Sequence, residues 1–153
     1  MATTMTLTTD QKLAILSRFH YENIGDDQAR AISAVVNDGR DVFVSTPTGS
    51  GKSLVYQSLP DAFSDFSRSV LVIIPIKSIG QEQVKFLQSV GLSAVRLTQD
   101  TDLDKRIISG KLTPNFIFCD AETILERREW RDMIQRRTFL AICVDEAHVV
   151  KHW

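Results

Sequence analysis

Ser45-Thr46-Pro47-Thr48-Gly49-Ser50-Gly51-Lys52-Ser53 lies between an apolar, strand-like run, Asp41 to Thr46, and a helix-like run, Ser53 to Phe63. A strand, a glycine-containing loop and a helix, in that order, build a cradle for phosphate. Backbone N–H groups at a helix start oppose dense negative charge, and the helix dipole adds to them. Gly49 and Gly51 let the backbone curl around a β-phosphate with no side chain intervening. Lys52 can reach the β- and γ-phosphate oxygens as a point charge, and the Ser53 hydroxyl is suited to ligate Mg²⁺. The strict pattern G-x-x-x-x-G-K-[ST] asks for glycine at position 46, where this chain has Thr46. Thr46, Pro47, Thr48, Gly49, Ser50, Gly51, Lys52 and Ser53 are therefore the candidate triphosphate-binding residues, with Lys52 also a candidate catalytic group.

Working outward, strand-like and helix-like segments alternate. Upstream, Thr9-Asp10 caps an expected helix through Tyr21, with Leu13, Leu16 and Phe19 near one face. Asp26-Asp27 opens a second, with Ala29, Ile32, Val35 and Val36 inward and Gly39 just past its end. Downstream, strands are expected at Ser69 to Ile74, Ser93 to Leu97, Asn115 to Cys119 and Phe139 to Val144. Helices are expected at Ile79 to Val90 and Asp102 to Ser109, and the charged stretch Ala121 to Arg137 is also helical. Apolar strands alternating with helices predict an α/β fold: a parallel sheet with helices on both faces. Ligands of such sheets bind at the carboxyl ends of the strands. The boundaries expected are an N-terminal helical segment, 1–40, and a nucleotide-binding domain, 41–153.

A second motif follows the last strand: Asp145-Glu146-Ala147-His148. Beside a phosphate loop, Asp145 can hold Mg²⁺ through water, and Glu146 can orient or deprotonate the attacking water. The plain alternative is an acidic pair capping a helix. His148 alone reads as a structural hydrogen-bonder.

Composition bounds the rest. The 153 residues make one domain's worth of chain, able to bury roughly 70% of its unfolded surface. Hydrophobic residues at 43% and charged residues at 24% are ordinary for a globular protein. A net charge of -1 carries no global signature for nucleic acid, so any such contact is local. Cys119 and Cys143 lack metal-ligand spacing and read as buried reduced thiols. Val70 to Ile76 is far too short to span a bilayer, and the polar N-terminus has no signal-peptide pattern. An intracellular protein without membrane association is expected. The basic stretch Arg127-Arg128-Glu129-Trp130-Arg131 is interleaved with acidic neighbours and reads first as a solvated helix face.

With both motifs in hand, the chain resembles the first RecA-like domain of superfamily 2 helicases, and more narrowly the RecQ family of DNA helicases, from about Leu16 to Trp153. Leu54-Val55-Tyr56-Gln57 after the loop is similar to the family's L-x-Y-Q, and Asp145-Glu146-Ala147-His148 matches D-E-A-H in full. Trp153 falls on the tryptophan that follows that motif. Phe19 to Gln28 aligns with the adenine-recognition segment F-G-x-x-x-F-R-x-x-Q. Phe19 and Gln28 match, while His20, Ile24 and Gly25 replace its Gly, Phe and Arg. The resemblance makes Tyr21 an aromatic that stacks on adenine, and Gln28 a carboxamide offering donor and acceptor to the adenine edge. Without it, Tyr21 is a helix-end aromatic and Gln28 a solvated side chain.

Pro75 to Val84 is similar to P-L-x-S-L-x-x-D-Q-V, a segment that touches the single-strand backbone in relatives. It implies DNA contacts for Ser78 and Gln83, with helix capping the alternative for Ser78. Phe118 to Glu122 keeps only Glu122 of the Y-x-x-P-E segment.

The family resemblance implies an ATP- and Mg²⁺-dependent, 3'-5' DNA helicase acting on single-stranded and duplex DNA, in the nucleus if the source is eukaryotic. The family uses two RecA-like domains, with ATP between them and arginine fingers from the second. No second domain is present in these residues, so a fragment is expected. An arginine finger is worth roughly 10³–10⁵ in rate. The chain alone is expected to bind ATP far better than it hydrolyses it, and not to unwind DNA. The alternatives are a stand-alone nucleotide-binding or interaction module, and a fragment of a superfamily 2 RNA helicase; Gln57 and Trp153 favour the RecQ type.

Overall fold

A computed structural model describes residues 6–39, 52–74, 77–97, 101–136 and 138–144, which belong to two units, Met1–Asp65 and Phe66–Trp153. The expected strand Asp41 to Thr46 lies outside the described residues.

The first unit is helical where described. Helix α1 (Thr9–Phe19) is capped one residue earlier than expected. The Thr8 hydroxyl accepts from Gln11 N–H at 3.1 Å, and the Gln11 carboxamide accepts from Thr8 N–H at 2.9 Å. The helix ends at Phe19, short of Tyr21, because His20 turns left-handed at φ 59°. Its buried line is Ile15 and Phe19, four residues apart. Leu13, expected inside, is 57% exposed. It stands two residues from Ile15, about 200° around the helix, which takes it off the inward face.

Helix α2 (Asp26–Val36) buries Ala31, Ile32 and Ser33, and Gly39 follows its end at φ 64°. The run from Ser53 to Phe63 was expected as one helix and is two: α3 (Lys52–Gln57) and α4 (Leu59–Phe63), divided at Ser58. Pro60 has no N–H to continue the ladder. The Ser58 hydroxyl donates to the Leu54 carbonyl at 2.7 Å, satisfying an acceptor within the turn before the break. Helix α4 packs on α1 and α2, and α2 packs on α3. An ion pair ties α1 to α4: Arg18 Nε meets Asp61 Oδ2 at 2.6 Å, with the Asp61 side chain only 5% exposed. Gln11 also donates to Asn37 Oδ1 at 3.0 Å and to the Ala62 carbonyl at 3.3 Å.

The second unit is built on a parallel sheet of order β2-β3-β1-β4, from β1 (Val70–Ile74), β2 (Ala94–Arg96), β3 (Phe116–Asp120) and β4 (Ala141–Val144). All four expected strands of this region are there. Register pairs Leu71 with Ile117 and Ile142, and Ile73 with Cys119 and Val144. Alternate residues therefore share a face. Leu71, Ile117 and Cys119 join Leu97, Ile107, Trp130 and Met133 in one core. Those last three come from α6 (Thr101–Ile108) and α8 (Arg128–Arg136). Helix α5 (Lys77–Ser89) packs along β1, β2 and β3, with Leu87 fully buried.

Gly110 stops the chain after α6 at φ 79°. The stretch Ala121 to Arg137, expected to be helical throughout, is α7 (Ala121–Glu126) and α8, separated by an extended Arg127. Helix α7 is capped by Asp120, which accepts from the Thr123 N–H and hydroxyl, each at 2.8 Å. Trp130 and Met133 explain the basic stretch: they anchor α8 in the core, while Arg128 and Arg131 remain exposed. Among the described residues no helix is long and apolar enough to cross a membrane.

Candidate functional site

Helices α2 and α3 and the segment preceding α2 bound a cleft of about 420 Å³ in the first unit, lined by Tyr21, Asn23, Gly25, Gln28, Ser53, Leu54 and Gln57. Three residues that the sequence assigns to a nucleotide, Tyr21, Gln28 and Ser53, thus share one cavity.

Each is held by a local cause. His20 in the left-handed conformation turns the chain out of α1, so Tyr21 leaves the helix and is 48% exposed. Its ring stacks on buried Phe19, with centroids 6.5 Å apart and planes 18° from parallel. One face of the phenol is thereby backed by the core, a geometry suited to presenting an aromatic surface to a planar ligand.

Gly25 is the N-cap of α2, and its N–H donates to Gln28 Oε1 at 3.0 Å. That bond fixes which end of the carboxamide is oxygen. An amide oxygen accepts two hydrogen bonds, and the cap takes one. A side chain at Gly25 would intrude, since a Cβ there meets Gln28 Oε1 at 3.1 Å. The donor is the main-chain N–H at position 25, and the arginine side chain of the family pattern has no counterpart at this glycine.

Ser53 stands in the first turn of α3, and Gln57 lies four residues on, along the same side of the helix. Gln57 is 4% exposed. Its place on the cleft is foreshadowed by that spacing from Ser53. Asn23 and Leu54 have no comparable signal as cleft residues in the sequence.

Lys52 opens α3. Thr46, Pro47, Thr48, Gly49, Ser50 and Gly51 lie outside the described residues, as do Asp145 and Glu146. Ser78 falls in the first turn of α5, and Gln83 is half-buried farther along the same helix, so one element carries both.

The second unit holds the thiols. Cys119 is buried, and burial, with Asp120 adding to it, pushes its thiol from 9.0 up to about 12. It is a core group, not a nucleophile. Cys143 is only half-buried, where full burial was expected. Among the described residues no group of three or more His, Cys, Asp or Glu side chains is assembled to hold a metal.

The chain matches the DEAD/DEAH box helicase family over residues 25–153. It is 31% identical over 147 residues to the ATP-dependent DNA helicase hus2/rqh1 of Schizosaccharomyces pombe, a match covering 89% of this chain and 11% of that protein. It is 31% identical over 143 residues to the ATP-dependent DNA helicase RecQ of Haemophilus influenzae, covering 90% of this chain and 22% of the relative. To the RecQ-like DNA helicase BLM of Xenopus laevis it is 32% identical over 149 residues, covering 89% and 10%. The chain thus spans less than a quarter of the length of these relatives. Among solved structures it is similar in fold to the DUF1998 helicase MrfA bound to DNA and AMPPNP. The TM-score is 0.67 at 20% identity, covering 97% of this chain and 22% of that one. The parallel sheet with its helices is accordingly the RecA-like α/β fold expected.

Proposed function

The chain belongs to the DEAD/DEAH box helicase family, and from that premise we propose that it is the ATP-binding portion of a RecQ-type, 3'-5' DNA helicase. The observation that carries this reading is the single cleft shared by Tyr21, Gln28 and Ser53. An aromatic face, an oriented carboxamide and the serine that follows the phosphate-loop lysine are three parts of one adenine-nucleotide site. Tyr21 stacks on the base, Gln28 offers its amide to the base edge, and Lys52 meets the phosphates at the start of α3. The cleft's volume suits a base and part of its ribose.

Ser53 fits Mg²⁺ as a hydroxyl ligand, and Asp145 is the carboxylate proposed to serve the same ion. When bound, Mg²⁺ neutralises phosphate charge. Glu146 is proposed to orient and deprotonate the attacking water. The curated relatives are DNA helicases, which supports DNA over RNA as the polymer. Ser78 and Gln83, both on α5, are the proposed contacts to its backbone. Motor activity belongs to the whole helicase, with a second RecA-like domain supplying the arginine fingers.

Binding of labelled ATP to the chain and to Lys52→Ala tests the reading. The variant is expected to lose at least about tenfold in affinity, since a charge-assisted contact is worth about 1.5–3 kcal/mol. Equal binding by both proteins contradicts it.

A further inference from the structure

An ion pair lies just ahead of the turn that carries Tyr21. Arg18 Nε meets Asp61 Oδ2 at 2.6 Å, with the Arg18 side chain 24% exposed and that of Asp61 5%. As a source of stability such a pair is weak, because withdrawing two charges from water offsets most of their attraction. Two apolar side chains would hold α1 to α4 at least as well. What they would lack is direction: a guanidinium N–H and a carboxylate meet in a narrow range of geometries, whereas apolar surfaces can slide.

Direction matters here because the two partners belong to different walls of the cleft. Arg18 precedes Phe19, whose ring backs Tyr21, and the left-handed His20, which turns Tyr21 out of the helix. Asp61 belongs to α4, which is linked to α3 through the Ser58 turn. There Ser58 N–H donates to the Leu54 carbonyl at 3.0 Å, and Ala62 N–H to the Ser58 carbonyl at 2.9 Å. Helix α3 brings Ser53 and Leu54 to the cleft. A second tie comes from Gln11, which donates to the Ala62 carbonyl at 3.3 Å. Gln11 and Arg18 stand about two turns apart, so both ties leave one face of α1 and fix its rotation and slide along α4.

We propose that the Arg18–Asp61 pair is a positioning device for the base: it holds Tyr21 at a set distance from α3, and so determines how firmly Tyr21 stacks on a purine. The inference rests on the cleft being the base site. With the pair broken, the end of α1 rocks on α4 and the stacked Phe19 and Tyr21 rings move with it. The aromatic face then loses its fixed spacing to the phosphate end of the site, where Lys52 and Ser53 open α3. The pair acts through Tyr21 and not by touching the ligand.

The test is a double-mutant cycle on the full chain. Affinities for ATP and for inorganic tripolyphosphate, which has no base, are measured for wild type, Asp61→Asn, Tyr21→Ala and the double variant. Tyr21→Ala is expected to weaken ATP binding by about tenfold, the ordinary weight of a base–aromatic stack. Asp61→Asn keeps the shape and removes the charge, and should weaken ATP binding about three- to tenfold. In the Tyr21→Ala background the same change should cost ATP nothing further, and tripolyphosphate affinity should be unchanged by Asp61→Asn. A merely structural pair would leave the ATP affinity of the folded protein intact, or lower both ligands alike in both backgrounds. Unchanged ATP affinity in Asp61→Asn, a loss shared with tripolyphosphate, or an equal loss with and without Tyr21 overturns the proposal. Should Asp61→Asn fail to fold, Arg18→Lys, which keeps both charges but not the guanidinium's planar fork, enters the same cycle and is judged by the same results. Wild-type ATP affinity in Tyr21→Ala would instead overturn the underlying assignment of the base site, and the role of the pair with it.

Discussion

The cleft of the first unit and the sheet of the second bury different chemistry. Along β3, Phe116, Ile117 and Phe118 are fully buried and Cys119 nearly so, with Phe116 and Phe118 stacked at 6.4 Å. Around the cleft, the most enclosed polar side chain among the described residues is a glutamine, and a second glutamine is oriented by a backbone N–H. A dry, close-packed sheet contributes stability and has little to offer a polar ligand. Amides on a cleft wall can contribute recognition, and each amide costs stability unless its bonds are made. Substitutions in the two places should therefore separate stability from nucleotide affinity.

The largest effect is expected in the sheet. Phe118→Ala should destabilise the chain by about 3–5 kcal/mol in urea unfolding. At temperatures where the variant is folded, its ATP affinity should stay close to wild type. A variant that kept full stability, or lost nucleotide affinity while folded, would break the division.

A second test contrasts two cysteines within the sheet. Cys119, with its thiol near 12, is protonated in both folded and unfolded states below about pH 9, so it takes no stability away there. Above pH 9 an unfolded thiol ionises and the buried one does not, so stability is lost as pH rises from about 9 toward 12. At pH 9 an ordinary thiol is half ionised, and Cys119 only about a thousandth. Iodoacetamide should label Cys143 first, and Cys119 only when urea unfolds the chain. Equal labelling in the native state would show that β3 is not sealed.

The smallest effect sharpens the comparison from the cleft side. Gly25→Ala puts a Cβ 3.1 Å from Gln28 Oε1, so the carboxamide must shift by a few tenths of an ångström. Stability should fall by no more than about 1 kcal/mol, the difference between glycine and alanine at an N-cap. ATP affinity should fall several-fold. An unchanged affinity would mean that the orientation of Gln28 is immaterial.

The sheet was legible because its signal is local. Runs such as Val70-Leu71-Val72-Ile73-Ile74 and Phe116-Ile117-Phe118-Cys119 are apolar and β-branched or aromatic, and each forms the strand it suggests. Helix interiors were harder. Pro60 marks the break at Ser58, but a proline in the first turn of a helix is equally at home, so its meaning depends on where that helix starts. Arg127 carries no breaking residue type, and its extended backbone follows from seating Trp130 and Met133 in the core. For the site, family resemblance named Tyr21 and Gln28, and the phosphate motif named Ser53. The role of Gly25 was not legible: on paper it is a missing arginine, and in the fold it is the donor that orients Gln28. Asn23 became a cleft residue only through tertiary packing.

The central claim is that the adenine base sits in the cleft of the first unit. Photolabelling the chain with 8-azido-ATP, followed by mass-spectrometric mapping of the modified peptide, tests it most directly. The account predicts cross-links within Tyr21–Gln28 or Ser53–Gln57, suppressed by excess unlabelled ATP. Cross-links confined to residues 66–153, and equally suppressed by ATP, would contradict it.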